Sequence, residues 1–406
     1  MTTLVRKGAL LATAMLVTLA VALTTPASAA VPAWTTLLRG SLTGYADMPI
    51  AERGGDTYVL IVLGASRGQA CHLVRMDGGG AVVWDRPVAS GAGIGCDHLV
   101  ADDTGLYMTI NVYGDLDGVP SDDGWNAHLR KLAFDGSVAW THSLEGPDFQ
   151  SAQAVAAGDG TVVVGGWWNI DTEPSGTEAF VRSLDTDGNV RWTRRIDTEH
   201  MDLVTALAAD SEGIYAAVRL QDANDTTIHR FASDGSPGWT AHLAPGEYVQ
   251  AIAMAAGDGT VYTVGQIDGA FPGKQGAGSM DAYVAAFDTT TGTANWVRQF
   301  GSFAPDFTGD VAVGPDGIVI AGSTEGGALP RFENRGGEDA FVRAYTTKGR
   351  RLWTRQFGTR AADRAWGVVA DPSGATTMGI TLGNLGTGHV RDSAVFVRRW
   401  SVGAGG

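Results

Sequence analysis

Apolar residues along this chain alternate with polar or small ones in short runs that glycine and aspartate cut off. Val155-Ala-Ala-Gly-Asp-Gly160 precedes Val162-Val-Val164, and Asp310-Val-Ala-Val-Gly-Pro-Asp-Gly317 leads into Ile318-Val-Ile-Ala-Gly-Ser-Thr324. β-Branched and aromatic residues bounded by Gly and Asp predict short strands joined by tight turns. After the first thirty residues no window follows the 3.6-residue period of an amphipathic helix. The pattern predicts an all-β chain.

The runs repeat. A Gly-x-x-x-Trp element recurs at Gly80–Trp84, Gly136–Trp140, Gly188–Trp192, Gly235–Trp239, Gly292–Trp296 and Gly349–Trp353, and Trp34 adds a seventh anchor. Successive anchors lie 50, 56, 52, 47, 57 and 57 residues apart, a length that suits one four-stranded propeller blade each. The clearest copy reads as strands at 296–301, 310–317, 318–324 and 339–345, with a turn at 346–349. The last copy stops after Ser393–Trp400 without its own anchor strand, and Val31–Leu38 supplies a strand of that kind. The expectation is a seven-bladed β-propeller over residues 31–406, one domain closed by pairing of the N- and C-terminal strands. Closure of that kind removes the open sheet edges that invite aggregation.

Asp-Ala-Phe-Val, then Gly-x-x-x-Trp, then Asp-Gly before an apolar strand resembles the secreted bacterial β-propeller repeat family called SBBP. The Gly-x-x-x-Trp element is also similar to the tryptophan-docking motif of PQQ-type propellers. PQQ enzymes tend to have eight such blades and adjacent cysteines at the cofactor. Seven anchors and two distant cysteines argue against quinone-dependent chemistry here. The resemblance implies the fold and leaves the function open, because propellers serve as enzymes, lectins and scaffolds.

Composition refines this picture. Glycine is abundant, 57 of 406 residues, without a collagen-like period and with only 14 prolines, which fits many tight turns. Arg6 and Lys7, the apolar run Ala9–Leu23 and Ala27-Ser28-Ala29-Ala30 read as a signal peptide over residues 1–30, so the chain is expected to be secreted. No other stretch is apolar enough to span a membrane. Net charge is −15, which argues against nucleic acid as a partner because phosphates are repelled. A monomer is expected. Cys71 and Cys96 enclose 24 residues and predict a disulfide in an oxidising compartment, stapling neighbouring blades. Neither a CxxC spacing nor a Cys/His cluster supports a metal instead.

Candidate chemistry comes from departures from the repeat. Asp202, Asp306 and Asp363 recur in register and read as turn caps. Tyr248 replaces them in one copy. His98 and Asp310 share a position that Ala206 and Gly367 hold elsewhere, and His200 stands at another blade entrance. These four are the catalytic candidates, with Asp97 and Asp47 as further carboxylates. Long insertions at 111–126, 167–178, 266–280, 323–338 and 382–392 all join a second strand to a third, on the face where propellers hold ligands. Trp125, Trp167, Trp168 and Trp366 are not blade anchors and are candidates for stacking on sugar rings, with packing against their own loops as the alternative. Asp115 and Asp117, with Asp122 and Asp123, offer a Ca²⁺ site whose spacing departs from the EF-hand loop, so a solvated acidic loop is the preferred reading. No cofactor is otherwise expected, and no HExxH or Walker loop is present. The function expected is binding of an extracellular polysaccharide or protein at the loop-rich face. The alternatives are a polysaccharide lyase or glycoside hydrolase, and a structural scaffold.

Overall fold

The computed structural model describes residues 31–39, 49–64, 68–119, 124–144, 149–169, 176–198, 200–386 and 393–401. The expected leader, Asp47, Asp122 and Asp123 lie outside the described residues. All regular structure within them is antiparallel β, in successive four-stranded meanders. We number these meanders as units 1 to 7. Their first strands are Ile50–Arg53, Leu99–Ala101, Phe149–Gly158, Asp202–Asp210, Tyr248–Gly257, Asp306–Gly314 and Asp363–Asp371. Units 3 to 6 are separate four-stranded sheets, whereas units 1 and 2 share one eight-stranded sheet. Unit 7 is completed from the other end of the chain: Val31–Leu38 pairs with Ala394–Ser401, Val31 opposite Ser401 and Leu38 opposite Val395. The strands read from the clearest repeat appear at Ala294–Phe300, Asp306–Gly314, Gly317–Glu325 and Glu338–Tyr345.

The first strands contact one another in chain order, and that of unit 7 contacts that of unit 1. In units 3 to 7 each carries one bulge, after Ala152, Val204, Ala251, Thr308 and Ala365. A bulge adds twist to its strand, and small residues follow it, as at Ala154, Ala206, Ala253 and Gly367. Larger side chains there would fill the space the first strands enclose.

Between units the contact is made by the anchor tryptophans. The ring of each but Trp353 lies against the turn glycine of the following unit, Trp192 on Gly235 and Trp296 on Gly349 for example. The indole N–H donates to a carbonyl of the same turn: Trp34 to Gly78 (3.0 Å), Trp192 to Ser233 (2.9 Å), Trp239 to Thr289 (2.8 Å) and Trp296 to Thr347 (2.9 Å). Two residues further on, Arg194 and Arg298 donate to the carbonyls of Gly235 and Gly349. A Cβ on Gly80, Gly235, Gly292 or Gly349 would stand 2.5–2.6 Å from indole atoms, and all four glycines have positive φ. Glycine is therefore required twice at this position, for the turn and for the ring that lies on it. Trp34 of the N-terminal strand docks on Gly80 of unit 1 in the same way. Trp353 faces unit 7, whose third and fourth strands come from opposite ends of the chain, and packs into a cluster with Phe357, Phe396 and Trp400.

Gly292→Ala tests this contact. The new Cβ combines left-handed backbone (φ +70°) with an indole atom at 2.5 Å, and urea melts should lose about 3 kcal/mol. Gly160→Ala has a similar φ of +68° with nothing within 4 Å and should lose only about 1 kcal/mol. Equal losses would show that the docked indole does not constrain the turn.

Candidate functional site

The first strands enclose a channel of about 290 Å³ lined largely by small apolar side chains, with His98 and Asp310 among them. Both catalytic candidates reach across to the next unit. The His98 ring hydrogen-bonds the Gln153 backbone in unit 3, and burial lowers its pKa to about 4, so it is neutral. Asp310 accepts from the Val311 N–H at 2.7 Å and from the Val368 N–H of unit 7 at 2.8 Å. Desolvation by the channel walls raises its pKa to about 7, with the two backbone donors opposing. Each side chain thus clasps two units together at the register where other copies carry a small residue.

The other two candidates lie elsewhere. His200 pairs with Asp222 at 3.1 Å. Tyr248 opens the first strand of unit 5, where Arg219 stacks over its ring and donates to its hydroxyl at 2.9 Å. Asp202, Asp306 and Asp363 hold their expected place as turn caps. Each opens a first strand, is buried, and accepts the backbone N–H four residues earlier, from Thr198, Ser302 and Thr359.

Unit 2 departs from its neighbours. Its first strand is cut to Leu99–Ala101. The strand before it, Val82–Gly95, runs on from unit 1 and pairs with the second strand of unit 2, Ala92 opposite Tyr113 and Gly95 opposite Asn111. Glycine permits the run: a Cβ on Gly91 would meet the Val112 side chain at 2.4 Å, and one on Gly95 the Asp97 carboxylate at 2.9 Å. Cys96 lies in the break and is joined to Cys71, on the third strand of unit 1, by a buried disulfide. That bond fits an oxidising environment.

Beside the break lies a cleft of about 430 Å³ whose walls come from units 1, 2 and 3. Its polar lining includes Gln69, Asp97, Asn111, Gln150 and Gln153, and its aromatic lining is Trp125 and Trp167. Asn111 forms the tie beneath it. Its amide donates to Asp97 and to the Ala152 carbonyl and accepts from the Ala152 N–H, each at 2.9 Å. Trp125 is 37% exposed, lies over Gly93 and meets Tyr113 edge-on at 6.0 Å.

Two of the four candidate stacking tryptophans are packing residues instead. Trp168 follows Trp167 on one strand, and strand alternation sends it to the opposite face. There it is buried and stacks on Phe180 at 4.6 Å. Trp366 is buried at the bulge of unit 7, its backbone against Gly309 of unit 6. It borders a cavity of about 270 Å³ in which Glu338 is already held by Ser323 (2.7 Å) and Arg364 (2.5 Å).

The Ca²⁺ candidates are also engaged. Asp117 accepts from Ser90 through one oxygen and from Arg130 through the other, at 2.7 Å in each case. Among the described residues no group of three or more His, Cys, Asp or Glu is placed to hold a metal ion. Asn111, Gln150 and Gln153 were not singled out from the sequence. The glycine-rich run Gly91–Gly95 was the available signal.

No protein-family model matches the chain. Among curated proteins it is similar to the regulatory protein FlaEY of Caulobacter vibrioides (strain ATCC 19089 / CIP 103742 / CB 15), 24% identical over 231 residues, covering 48% of this chain and 24% of that protein. The chain therefore spans about a quarter of the length of this relative. Among solved structures it is similar to the WD40 β-propeller domain of Doa1, with a TM-score of 0.51 and 14% identity over 92% of this chain and 97% of that one. A prolyl endopeptidase structure gives a TM-score of 0.51 and 11% identity over 89% of this chain and 51% of that one. These likenesses show a β-propeller-type fold.

The Asp310 clasp carries a pH prediction. The folded pKa of about 7 lies above the 3.8 of an ordinary aspartate, so its contribution is full below pH 3.8 and is lost as pH rises through 7. Asp310→Asn stays neutral throughout. The stability of the natural protein relative to the variant should fall from pH 4 to 7 and level off above. A constant difference across that range would rule out a buried, titrating Asp310.

Proposed function

We propose that the seven units are the blades of one closed seven-bladed propeller, secreted through a leader at residues 1–30, that binds an extracellular ligand in the cleft beside the broken strand of unit 2. The observation that carries this reading is the cleft's lining. Trp125 and Trp167 stand with side-chain amides around a concave site, a combination that suits recognition more than catalysis. The cleft sits where second strands lead to third strands, the position of the long insertions. The catalytic candidates support the same reading. His98 and Asp310 are spent on clasps between units, and His200 and Tyr248 already have partners and do not line the cleft. Within this proposal the junction of Val31–Leu38 with Ala394–Ser401 closes the ring.

Two measurements test the two halves of this proposal. Deleting residues 31–40 removes the closing strand and an anchor tryptophan, and should abolish the cooperative melt; an unchanged melt would refute closure. Trp125→Ala with Trp167→Ala should weaken binding to a panel of extracellular polysaccharides and proteins while leaving the melting temperature within a few degrees. Trp296→Ala should cost roughly 3–5 kcal/mol whatever the ligand, as a core deletion. If the double variant unfolds like Trp296→Ala, or binds as the natural protein does, the cleft is not the binding site.

A further inference from the structure

The lining of the cleft narrows the chemistry of its ligand, given the proposed binding role of that site. No lysine or arginine is among the lining residues, so nothing there neutralises a uronate, sialate, sulfate or phosphate. The chain's net charge of −15 opposes such groups further. The one carboxylate, Asp97, is already hydrogen-bonded by Asn111, which leaves it poorly placed to reward an amine. What remains is a wall of neutral groups that both donate and accept: the amides of Gln69, Gln150 and Gln153 and the hydroxyl of Ser151. Sugar hydroxyls have the same dual character.

Gln150 supplies the most specific sign. Its Oε1 is buried with no hydrogen-bond partner, although the residue borders the cleft. An acceptor left in that state is costly, and turning the amide toward a donor on a molecule in the cleft relieves the cost. The two indoles complete the set, because the C–H faces of pyranose rings stack on aromatic surfaces that a polar ligand without such faces does not use. The glycines at 93 and 95 let Trp125 and the Asp97 carboxylate lie close against the backbone of the cleft wall.

We infer that the cleft takes an uncharged saccharide, a segment of neutral or N-acetylated pyranose units.

Titration of the full chain with cello-, xylo- and chito-oligosaccharides, beside oligogalacturonate and deacetylated chito-oligomers, tests this by calorimetry and tryptophan fluorescence. At least one neutral oligomer should bind and shift the indole emission, while the acidic and amine-bearing oligomers should not. Trp125→Ala should lower that affinity about tenfold or more. Gln150→Leu should weaken it while the melting temperature holds or rises, a split that a merely structural glutamine would not produce. Failure of every neutral oligomer to bind overturns the inference. Binding of oligogalacturonate that depends on Trp125 and Trp167 overturns it too but leaves the proposed binding site standing. Binding of any oligomer that neither tryptophan substitution changes removes both.

Discussion

An indole ring lying on the turn glycine of the next unit is the contact on which the rest of this molecule depends. Each unit is a four-stranded sheet too small to bury its own faces, so stability comes from what is buried between units. The anchor tryptophan supplies a large apolar surface there and fixes its own orientation through the N–H bond to a turn carbonyl. Because the glycine beneath it can accept neither a Cβ nor an ordinary φ, the position resists drift. The arginines two residues on cover the ring and bond the glycine carbonyl. The N-terminal strand repeats the contact through Trp34 and Gly80, which joins the last unit to the first.

With the scaffold held from outside, the first strands are free to vary inside. In units 3 to 7 they share a bulge, followed by a small residue in all but unit 6, where Asp310 takes the position. In unit 2 the strand is cut short and its opening is occupied by the end of the strand from unit 1. That substitution leaves Asp97, Asn111 and Cys96 at the interruption and opens the cleft between units 2 and 3. The disulfide from Cys96 to Cys71 holds an irregular segment that has lost the ladder of a full first strand. The cleft is therefore a consequence of one local departure from the pattern that units 3 to 7 share.

Glycine and tryptophan made the repeat legible from the amino-acid order, because each is demanded at a fixed offset by one contact. The capping aspartates were legible for the same reason: Asp202, Asp306 and Asp363 recur at one turn and do one job. The cleft was not, since its residues come from three units and share no offset. Asn111 lies within a predicted insertion, and Gln150 and Gln153 lie on a strand with no unusual pattern. Trp167 and Trp168 looked equivalent side by side, yet the pleat separates them into a cleft wall and a core stack. His98 and Asp310 did stand out by breaking the register. Their partners, the Gln153 and Val368 backbones, lie about 55 to 58 residues away, so only the fold shows them to be clasps.

Polar pairs between the third and fourth strands of a unit also bear on how the fold responds to acid. At the position three after the anchor tryptophan, Arg195 meets buried Glu178, His242 meets Asp225 at 2.7 Å, and Gln299 and Gln356 meet Asp281 and Asp339. In the last two pairs the partner is neutral and a second buried carboxylate, Asp306 or Asp363 of the next unit, lies across a glycine. Burial, with a contribution from Asp281, raises the Asp306 pKa to about 6. Asp306 and Asp310 are thus raised above 3.8, and each favours folding most when protonated, an advantage lost as pH rises toward 6 and 7 respectively. His98, His128 and His229 are lowered by burial to about 4 from 6.5, so each favours folding above pH 6.5 and loses that advantage as pH falls through 4. The two sets act in opposite directions over the same interval. Buried histidines alone would make the fold acid-labile between pH 6.5 and 4, and the buried aspartates offset part of that loss without a single added contact.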